Sequence, residues 1–331
     1  MSRLRAPFGT PPYARLARKP PRRATEGVPV PHPSHVTRRL GLKAALTASV
    51  ALPLASTALP PGAASAKERP DRPLEVMSFN LRFASAAEPH SWAVRRPVMR
   101  DLLRRERPHV IGTQEGLYPQ LRDIEADLGP AYDWIGTGRE GGSRDEFTAV
   151  LYDTQRLVPL EYDHFWLSDT PDVIASNTWG NAFVRMATRV RFRDLRAGGR
   201  EFHVLNTHLD NASQYARERA AALIADRVGG LGRCVPVVVT GDFNVAAHEN
   251  PVYDTLLGAG LVDTWEAAAE RGEPYGTFHG YRPPVPGGPR IDWILVTPGV
   301  TVHRASVNTF APAGRFPSDH LPVQAALTLR T

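Results

Sequence analysis

Residues 236–244, with the sequence PVVVTGDFN, constrain the fold of this chain more than any other stretch. The β-branched residues 237–240 predict a short buried strand that ends at Gly241. Residues two apart in an extended chain point to the same side, so Asp242 and Asn244 are expected to face one cleft. Open α/β sheets carry their chemistry beyond the carboxyl ends of the strands. An Asp-x-Asn sequence is also common in ordinary turns, and the other strand ends must decide between the two.

Other predicted strands also end in polar residues. Each of these residues could also have a purely structural role. It could cap a turn, begin a helix as an acid, be a buried histidine of the core, or form a surface ion pair, as Asp292 could with Arg290. Their joint occurrence favours a hard divalent cation, which prefers carboxylate and amide oxygens, and an Asp-His pair that activates water. These residues are Asn80, Gln114, Glu115, Asn206, His208, Asp210, Asp242, Asn244 and Asp292, with Ser318, Asp319 and His320 before the last strand.

Hydrophobic periodicity divides residues 74–331 into strands and helices without a linker or a repeat, which predicts one domain of this extent. Helices are predicted over residues 92–106, 121–128 and 216–228. Strands are predicted over residues 74–81, 108–115, 133–136, 147–152, 187–192, 201–207, 237–240, 291–296 and 323–329. This mixture indicates the α/β (α+β) class, with packed sheets and helices outside them.

The positive charge of the chain is concentrated in its first 66 residues. The chain carries 40 Lys and Arg against 34 Asp and Glu, a net charge of +6, and its isoelectric point is about 9.7. Residues 1–66 contain ten basic residues and one acid, Glu26, which leaves 30 basic and 33 acidic residues elsewhere and a net charge of −3. The domain therefore has no global positive field that would attract nucleic acid.

The first 66 residues have the pattern of a disordered leader followed by an export signal. Residues 1–35 are rich in Pro and Arg and lack apolar periodicity, which predicts disorder. Arg38 and Arg39 precede a mildly apolar run, 44–59, and residues 64–66 offer a cleavage site of small residues. This pattern resembles a twin-arginine signal, with residues 67–73 as a short linker to a secreted or extracytoplasmic domain. The alternative is a transmembrane anchor, which the short, interrupted apolar run disfavours.

Several motifs occur in the order found in one group of hydrolases. They are Asn80-Leu81-Arg82, Trp92 followed by Arg95-Arg96, Phe165-Trp166-Leu167-Ser168, and Asn206-Thr207-His208-Leu209-Asp210. With these motifs, the chain from Leu74 onward resembles the endonuclease/exonuclease/phosphatase superfamily. The resemblance implies a four-layer sandwich, in which two mixed, mainly antiparallel β-sheets pack face to face with helices outside. It also implies a hydrolase of phosphoric esters that uses Mg²⁺ or Mn²⁺.

The resemblance implies a role for each polar strand end. Glu115 is the principal metal ligand, with Asn80 and Asp319 beside it, and Asp319 also holds His320. His320 is the general base or the charge partner of the attacking water, and Asp242 aligns that water. The other implied roles are phosphate binding by Asn244, stabilisation of phosphoryl oxygens or assistance of the leaving group by His208, orientation of His208 by Glu146, and support of His320 or the metal by Asp292. A metal ion with His and Asn donors neutralises the phosphoryl charge before water attacks.

Two further residues are candidates for binding substrate. Arg185 precedes a predicted strand, and a guanidinium can clamp a phosphate with two parallel hydrogen bonds. The ordinary alternative is an arginine on the strand surface. Trp179 belongs to a predicted rim of the cleft, together with residues 165–171, and it either contacts substrate or packs in the interior.

The sequence leaves two functions open. The first is a metal-dependent phosphodiesterase, nuclease or phosphatase outside the cytoplasm, expected to be a monomer without a stable membrane anchor. Its substrate would be a small phosphodiester, a sugar or inositol phosphate, a phospholipid headgroup or nucleic acid. The second is a secreted binding protein on the same scaffold without catalysis. The complete set of site residues favours the enzyme, since an inactive relative usually loses a ligand or the base.

Overall fold

The computed structural model describes residues 72–231 and 235–329. These residues belong to one compact unit, Ser65–Thr331. The predicted leader, the export signal with its cleavage site, and residues 67–71 of the predicted linker lie outside the described residues. Within the described ranges, no helix is both long enough and apolar enough to cross a bilayer.

The described chain contains strands, helices and one short 3₁₀ turn, Pro312–Gly314. The strands are β1 (Leu74–Asn80), β2 (Val110–Gln114), β3 (Gly116–Leu117), β4 (Tyr132–Ile135), β5 (Glu146–Phe147), β6 (Val150–Asp153), β7 (Leu157–Trp166), β8 (Met186–Asp194), β9 (Arg200–His208), β10 (Val237–Asp242), β11 (Val262–Asp263), β12 (Glu270–Arg271), β13 (Asp292–Val296), β14 (Val300–Val307) and β15 (Val323–Leu329). The helices are α1 (Trp92–Glu106), α2 (Tyr118–Leu128), α3 (Gln214–Gly230), α4 (Pro251–Gly258) and α5 (Thr264–Ala267).

Two large sheets form the centre of the domain. One sheet has the strand order β12-β14-β15-β1-β2-β6-β4, and the other has the order β11-β13-β10-β9-β8-β7. Strands β1 and β2, β9 and β10, and β12 and β14 pair in parallel, while β15, β13 and β8 pair antiparallel with their neighbours β1, β10 and β9. Both sheets are therefore mixed and mainly antiparallel.

Apolar side chains stack these elements in four layers. Residues from the inner faces of both sheets, among them Val76, Val110, Val204 and Val238, form one buried cluster between the sheets. Helices α1 and α2 pack on the outer face of the first sheet, and α3 and α4 pack on the outer face of the second. The predicted α/β sandwich is confirmed, because each sheet buries one face against the other sheet and one face against helices.

A buried amide network joins the two sheets beneath the polar strand ends. Asn206 Oδ1 accepts hydrogen bonds from Gln114 Nε2 at 2.7 Å and from Thr240 Oγ1 at 3.0 Å. Asn206 Nδ2 donates to two backbone carbonyls of the first sheet. Gly112 lies where the sheets approach closely, since a Cβ at this position would overlap Thr240 Oγ1. Asn206 and Gln114 therefore serve the sheet interface.

The sheet register gathers the other polar strand ends at one edge. Strand β10 lies between β9 and β13, so Asp242 is paired with His208 on one side and with Asp292 on the other. In the first sheet, Asn80 at the end of β1 is paired with Gln114 at the end of β2. Strand β1 packs across β10, which brings the two sets of strand ends together.

Some elements differ from the sequence prediction. The predicted strand 147–152 is two strands, because β5 pairs with β3 while β6 pairs with β2 and β4. Strands β7 and β14 and helix α4 were not predicted. The register of β7 shifts between Pro159 and Glu161, and that of β14 shifts between Val302 and Arg304. These irregularities interrupt the two-residue alternation from which a strand is recognised.

Candidate active site

Asn80 connects the two sheets at the centre of the site. Its buried Nδ2 group donates to Glu115 Oε1 and to Asp242 Oδ2, both at 3.0 Å. Asp242 Oδ1 accepts the backbone N–H of Asn244 at 2.9 Å, and Asn244 Nδ2 donates to Leu209 O at 3.0 Å. Asn244 adopts a left-handed backbone conformation with φ 54°, which asparagine tolerates better than most residues. This turn fixes the Asp242 carboxylate at the end of β10.

His320 lies between two buried carboxylates. Its Nδ1 atom is 3.0 Å from Asp292 Oδ2, and its Nε2 atom is 3.7 Å from Asp242 Oδ2. Burial lowers the pKa of His320, but the charges of Asp292 and Asp242 outweigh burial and raise this pKa to about 10. Burial and the charge of Asp292 raise the pKa of Asp242 to about 7. His320 therefore carries the proton at neutral pH, while Asp242 titrates there.

The carboxylate that holds His320 is not the one expected. The resemblance gave this task to Asp319, the preceding residue in the chain. In the structure Asp319 Oδ2 lies 3.7 Å from Arg82 Nε, and Asp292 of the neighbouring strand contacts the ring. Of the two roles expected for Asp292, the structure therefore shows the support of His320.

His208 faces Asp242 from the other side. Its Nε2 atom is 3.5 Å from Asp242 Oδ2, and its Nδ1 atom is 2.9 Å from Arg185 Nη1. Burial and the positive charge of Arg185 hold the pKa of His208 well below its usual value. The ring is therefore neutral, in contrast to that of His320.

Glu146, expected to orient His208, pairs with an arginine instead. Its Oε2 atom accepts a hydrogen bond from Arg139 Nη1 at 2.7 Å. Burial and the charge of Glu115 raise the pKa of Glu146 to about 7. Glu146 lines the same pocket as Glu115 and His208. The side chain in contact with His208 Nδ1 is that of Arg185.

The two candidate substrate-binding residues lie in different surroundings. Arg185 lines the pocket, but it donates to His208 Nδ1 and to Asn211 Oδ1. Clamping a phosphate with both arms would require Arg185 to release these partners. Trp179 is only 6% exposed and belongs to the apolar cluster beneath α3. Trp179 therefore packs in the interior and does not form a rim of the cleft, because so little of its ring is available to a substrate.

Glu115 and Asp319, the carboxylates that the resemblance implied as metal ligands, both lie beside the loop after Asn80. Glu115 Oε2 accepts the backbone N–H of Phe83 at 3.2 Å, and Asp319 lies beside Arg82, so consecutive residues of one loop face both carboxylates. Carboxylate oxygens of this kind fit Mg²⁺ or Mn²⁺. Asn80 Oδ1 accepts the Arg82 N–H at 2.9 Å. Its Nδ2 group positions Glu115, and its Oδ1 atom keeps a second lone pair beside the hydrogen bond from Arg82.

Two groups of acids and histidines in the described residues bring possible ligand atoms within 4.8 Å of one another. The first lies inside the site, where His320 Nδ1 is already bonded to Asp292. In the second, Asp263 accepts hydrogen bonds from Arg290 at 2.8 Å and from Tyr253 at 3.1 Å, so this carboxylate is already neutralised. The groups are Asp242, Asp292 and His320, and His248, Asp263 and Glu266.

Arg95 is a structural residue of the site whose role the sequence reasoning missed. It is 1% exposed, and its guanidinium donates five hydrogen bonds of 2.8 to 3.0 Å, all to backbone carbonyls. The acceptors are residues Leu81, Arg82, Phe83, His90 and Pro317, so Arg95 ties the loop after Asn80 to the segment before Asp319. A signal was available, because Arg95 lies three, four and seven residues before the buried Val98, Met99 and Leu102 of α1.

Comparison with known proteins finds related sequences and structures. The profile of the Endonuclease/Exonuclease/phosphatase family matches residues 77–320. A mannosyl-6-phosphatase from Bacteroides thetaiotaomicron is 34% identical with a TM-score of 0.72, over 77% of this chain and 100% of that one. A second protein of that bacterium, described as an endonuclease/exonuclease/phosphatase family protein, is 35% identical with a TM-score of 0.73, over 78% and 98% of the two chains.

More distant structures share the fold. The catalytic domain of human Nocturnin, solved with a bound sulfate anion, is 19% identical with a TM-score of 0.61, over 77% of this chain and 94% of that one. Among curated proteins, none matches this chain.

Proposed function

The chain belongs to the endonuclease/exonuclease/phosphatase family, and we propose that it is a metal-dependent phosphatase that hydrolyses sugar phosphates outside the cytoplasm. The observation that carries the catalytic part is the position of Asp242. This single carboxylate accepts a hydrogen bond from Asn80 and lies within 3.7 Å of both His208 Nε2 and His320 Nε2. A carboxylate with a pKa near 7 between two ring nitrogens suits the activation of water.

Each group contributes a distinct step to the proposed reaction. Glu115 and Asp319 would hold Mg²⁺ or Mn²⁺, whose positive charge would neutralise the phosphoryl oxygens. Asp242 accepts the proton of the water that attacks phosphorus, and the bond from phosphorus to the alcohol oxygen breaks. The released alkoxide takes a proton from solvent water, and Asp242 returns its proton to solvent. Protonated His320 acts as the charge partner, and neutral His208 donates a hydrogen bond to a phosphoryl oxygen. Both contacts strengthen as negative charge develops in the transition state.

Two observations favour a sugar phosphate over the other phosphoesters. The chain is 34% identical to a mannosyl-6-phosphatase along that protein's full length. The pocket beside His208 also carries the acids Glu115 and Glu146 together with Arg139 and Arg185, and carboxylates accept hydrogen bonds from sugar hydroxyls. The net charge of −3 outside the leader offers no attraction to a long nucleic acid.

Hydrolysis by the purified protein tests the catalytic proposal. We expect release of phosphate from hexose 6-phosphates, loss of activity in EDTA, and recovery with Mg²⁺ or Mn²⁺. Glu115→Gln should lose most activity, whereas Glu273→Gln, at an exposed position, should keep it. Full activity in EDTA would refute metal dependence. If the protein prefers bis-p-nitrophenyl phosphate, DNA, RNA or sphingomyelin, that class of ester would replace the sugar phosphate as the proposed substrate. Inactivity on the whole panel would favour the alternative of a binding protein without catalysis.

Fractionation of the producing cells tests the proposed location. The twin-arginine pattern at Arg38 and Arg39 supports export of the folded domain. Replacing both with lysine should leave the precursor in the cytoplasm, and a matched replacement of Arg22 and Arg23 should not. Unchanged export of the Arg38→Lys, Arg39→Lys variant would show that the leader uses another route.

A further inference from the structure

The contact between Arg185 and His208 determines where the histidine carries its proton. Arg185 immediately precedes β8, and His208 ends the adjacent strand β9. Arg185 Nη1 lies 2.9 Å from His208 Nδ1. Both side chains are buried, so water does not compete freely for this hydrogen bond.

A guanidinium has five N–H donors and no acceptor, and it stays charged in proteins. The Nδ1 atom of His208 must therefore accept, which leaves the proton of the neutral ring on Nε2, the nitrogen that faces Asp242. We propose that Arg185 is a positioning residue that locks His208 in its Nε2–H tautomer. Under the proposed function, on which this inference rests, His208 then serves as a neutral hydrogen-bond donor to a phosphoryl oxygen and does not deliver a proton to the leaving group.

Arg185 is itself held in place. Its Nη2 group donates to Asn211 Oδ1 at 3.3 Å, and its Nε atom lies 3.8 Å from Asp210 Oδ2. The Asp210 carboxylate also accepts backbone N–H groups on both of its oxygens, including those of Ala182 and Ala212. The guanidinium is therefore anchored on the side away from His208, which limits the directions in which it can donate.

The opposite arrangement would give the opposite chemistry. An acid at Nδ1 would accept a hydrogen bond from the ring and favour the imidazolium form, as Asp292 does for His320. The acid available to do this for His208, Glu146, is engaged by Arg139 instead. The charge of Arg185 also opposes the imidazolium form, in agreement with the lowered pKa of His208.

Nitrogen NMR of the full chain in the presence of Mg²⁺ tests the tautomer directly. In protein with ¹⁵N-labelled histidine, we expect His208 to show an unprotonated Nδ1 and a protonated Nε2 at neutral pH. The resonance is assigned by its loss in His208→Ala. A protonated Nδ1 in the wild-type protein would overturn the proposal, and this measurement requires no known substrate.

Variants separate positioning from phosphate binding. In Arg185→Met, the His208 ring should populate the other tautomer or the imidazolium form, and kcat should fall about 10- to 100-fold, as when a group that orients a metal-ligating histidine is removed. Arg185→Lys should restore part of the Nε2–H tautomer and part of kcat. A raised KM with unchanged kcat and an unchanged tautomer would instead make Arg185 a phosphate ligand and refute the proposal. Inactivity of the wild-type protein on every ester would refute the proposed function but not the tautomer of His208, because the NMR measurement does not depend on activity.

A second Arg–His pair on the same two strands provides the control. Arg189 Nη1 lies 3.3 Å from Nδ1 of His203, which is buried, and Arg189 also pairs with Glu161. This pair lies outside the pocket that contains His208. Arg189→Met should therefore leave kcat and the His208 tautomer unchanged, and a loss equal to that of Arg185→Met would show that any arginine on this sheet has the same effect.

Discussion

Replacing Arg95 with methionine tests how the fold holds the loop after Asn80 to the segment before Asp319. Arg95 is buried, and all five of its N–H donors reach backbone carbonyls. Methionine fills a similar volume but donates no hydrogen bond. The loop after Asn80 and the segment before Asp319 would then lose the cation that joins them.

The magnitude follows from the carbonyls left without a donor. A buried polar group that loses its partner costs about 1–3 kcal/mol, and water and backbone relaxation will satisfy some of the five. Burial lowers the pKa of Arg95, so removing the cation also returns part of its desolvation cost. We therefore expect Arg95→Met to lower the free energy of unfolding by about 2–4 kcal/mol, a large part of the roughly 5–15 kcal/mol of a typical domain.

Urea unfolding in EDTA measures this loss, and calorimetric titration with Mn²⁺ measures the accompanying fall in metal affinity. Arg96→Met is the matched control, because Arg96 is the next residue on α1 and makes partly exposed ion pairs with Asp123 and Asp127. Such pairs contribute less than about 1 kcal/mol. Equal stability and equal metal affinity of the two variants would refute the reasoning.

Three further predictions follow from the same contacts. Gly112→Ala should cost about 1–3 kcal/mol of unfolding free energy, because its methyl group overlaps the opposite sheet, whereas Gly229→Ala, in open space on α3, should gain up to about 1 kcal/mol in urea unfolding. Protonated His320 stabilises the metal-free fold fully below pH 6.5, and this contribution to the free energy of unfolding is lost as the pH rises towards 10. Asp292→Asn should move this loss of stability to lower pH. An unchanged NMR titration of the His320 ring in this variant would contradict the prediction. His320→Ala should nearly abolish turnover of every ester. His208→Ala should lower kcat by a similar factor on p-nitrophenyl phosphate and on a sugar phosphate, because His208 donates to a phosphoryl oxygen and not to the leaving group. A loss confined to the sugar phosphate would contradict this role.

Regular elements of the fold were predictable where local pattern and tertiary environment agree. Helix α1 spans Trp92–Glu106 as its periodicity predicts, and Ser91 caps it by accepting the Val94 N–H. Strand β10 extends the predicted 237–240 to Val237–Asp242. Strand β7 could not be predicted in the same way, because its bulge at Pro159 breaks the alternation and its place at the edge of a sheet leaves several apolar side chains exposed.

The sequence indicated the site residues better than it indicated their partners. Asn80, Asp242, His208, His320 and Asp292 meet as expected of polar strand ends that share one edge. Their individual contacts depend on which strands are neighbours, and this depends on pairings that are distant in the chain. Asn206 and Gln114 are also polar residues near strand ends, like the site residues, yet they lie between the sheets and hold them together.

The sequence by itself determined the alternation of strands and helices, the polar strand ends and the oxygen-rich chemistry that suits a divalent cation. Only the tertiary structure decided the charge of each histidine. Asp292, 28 residues from His320, contacts Nδ1 of that ring and favours its protonated form. Arg185, 23 residues from His208, contacts the same atom of the other ring and keeps it neutral. A pKa depends on burial and on charges a few ångströms away, and in this fold those charges come from neighbouring strands.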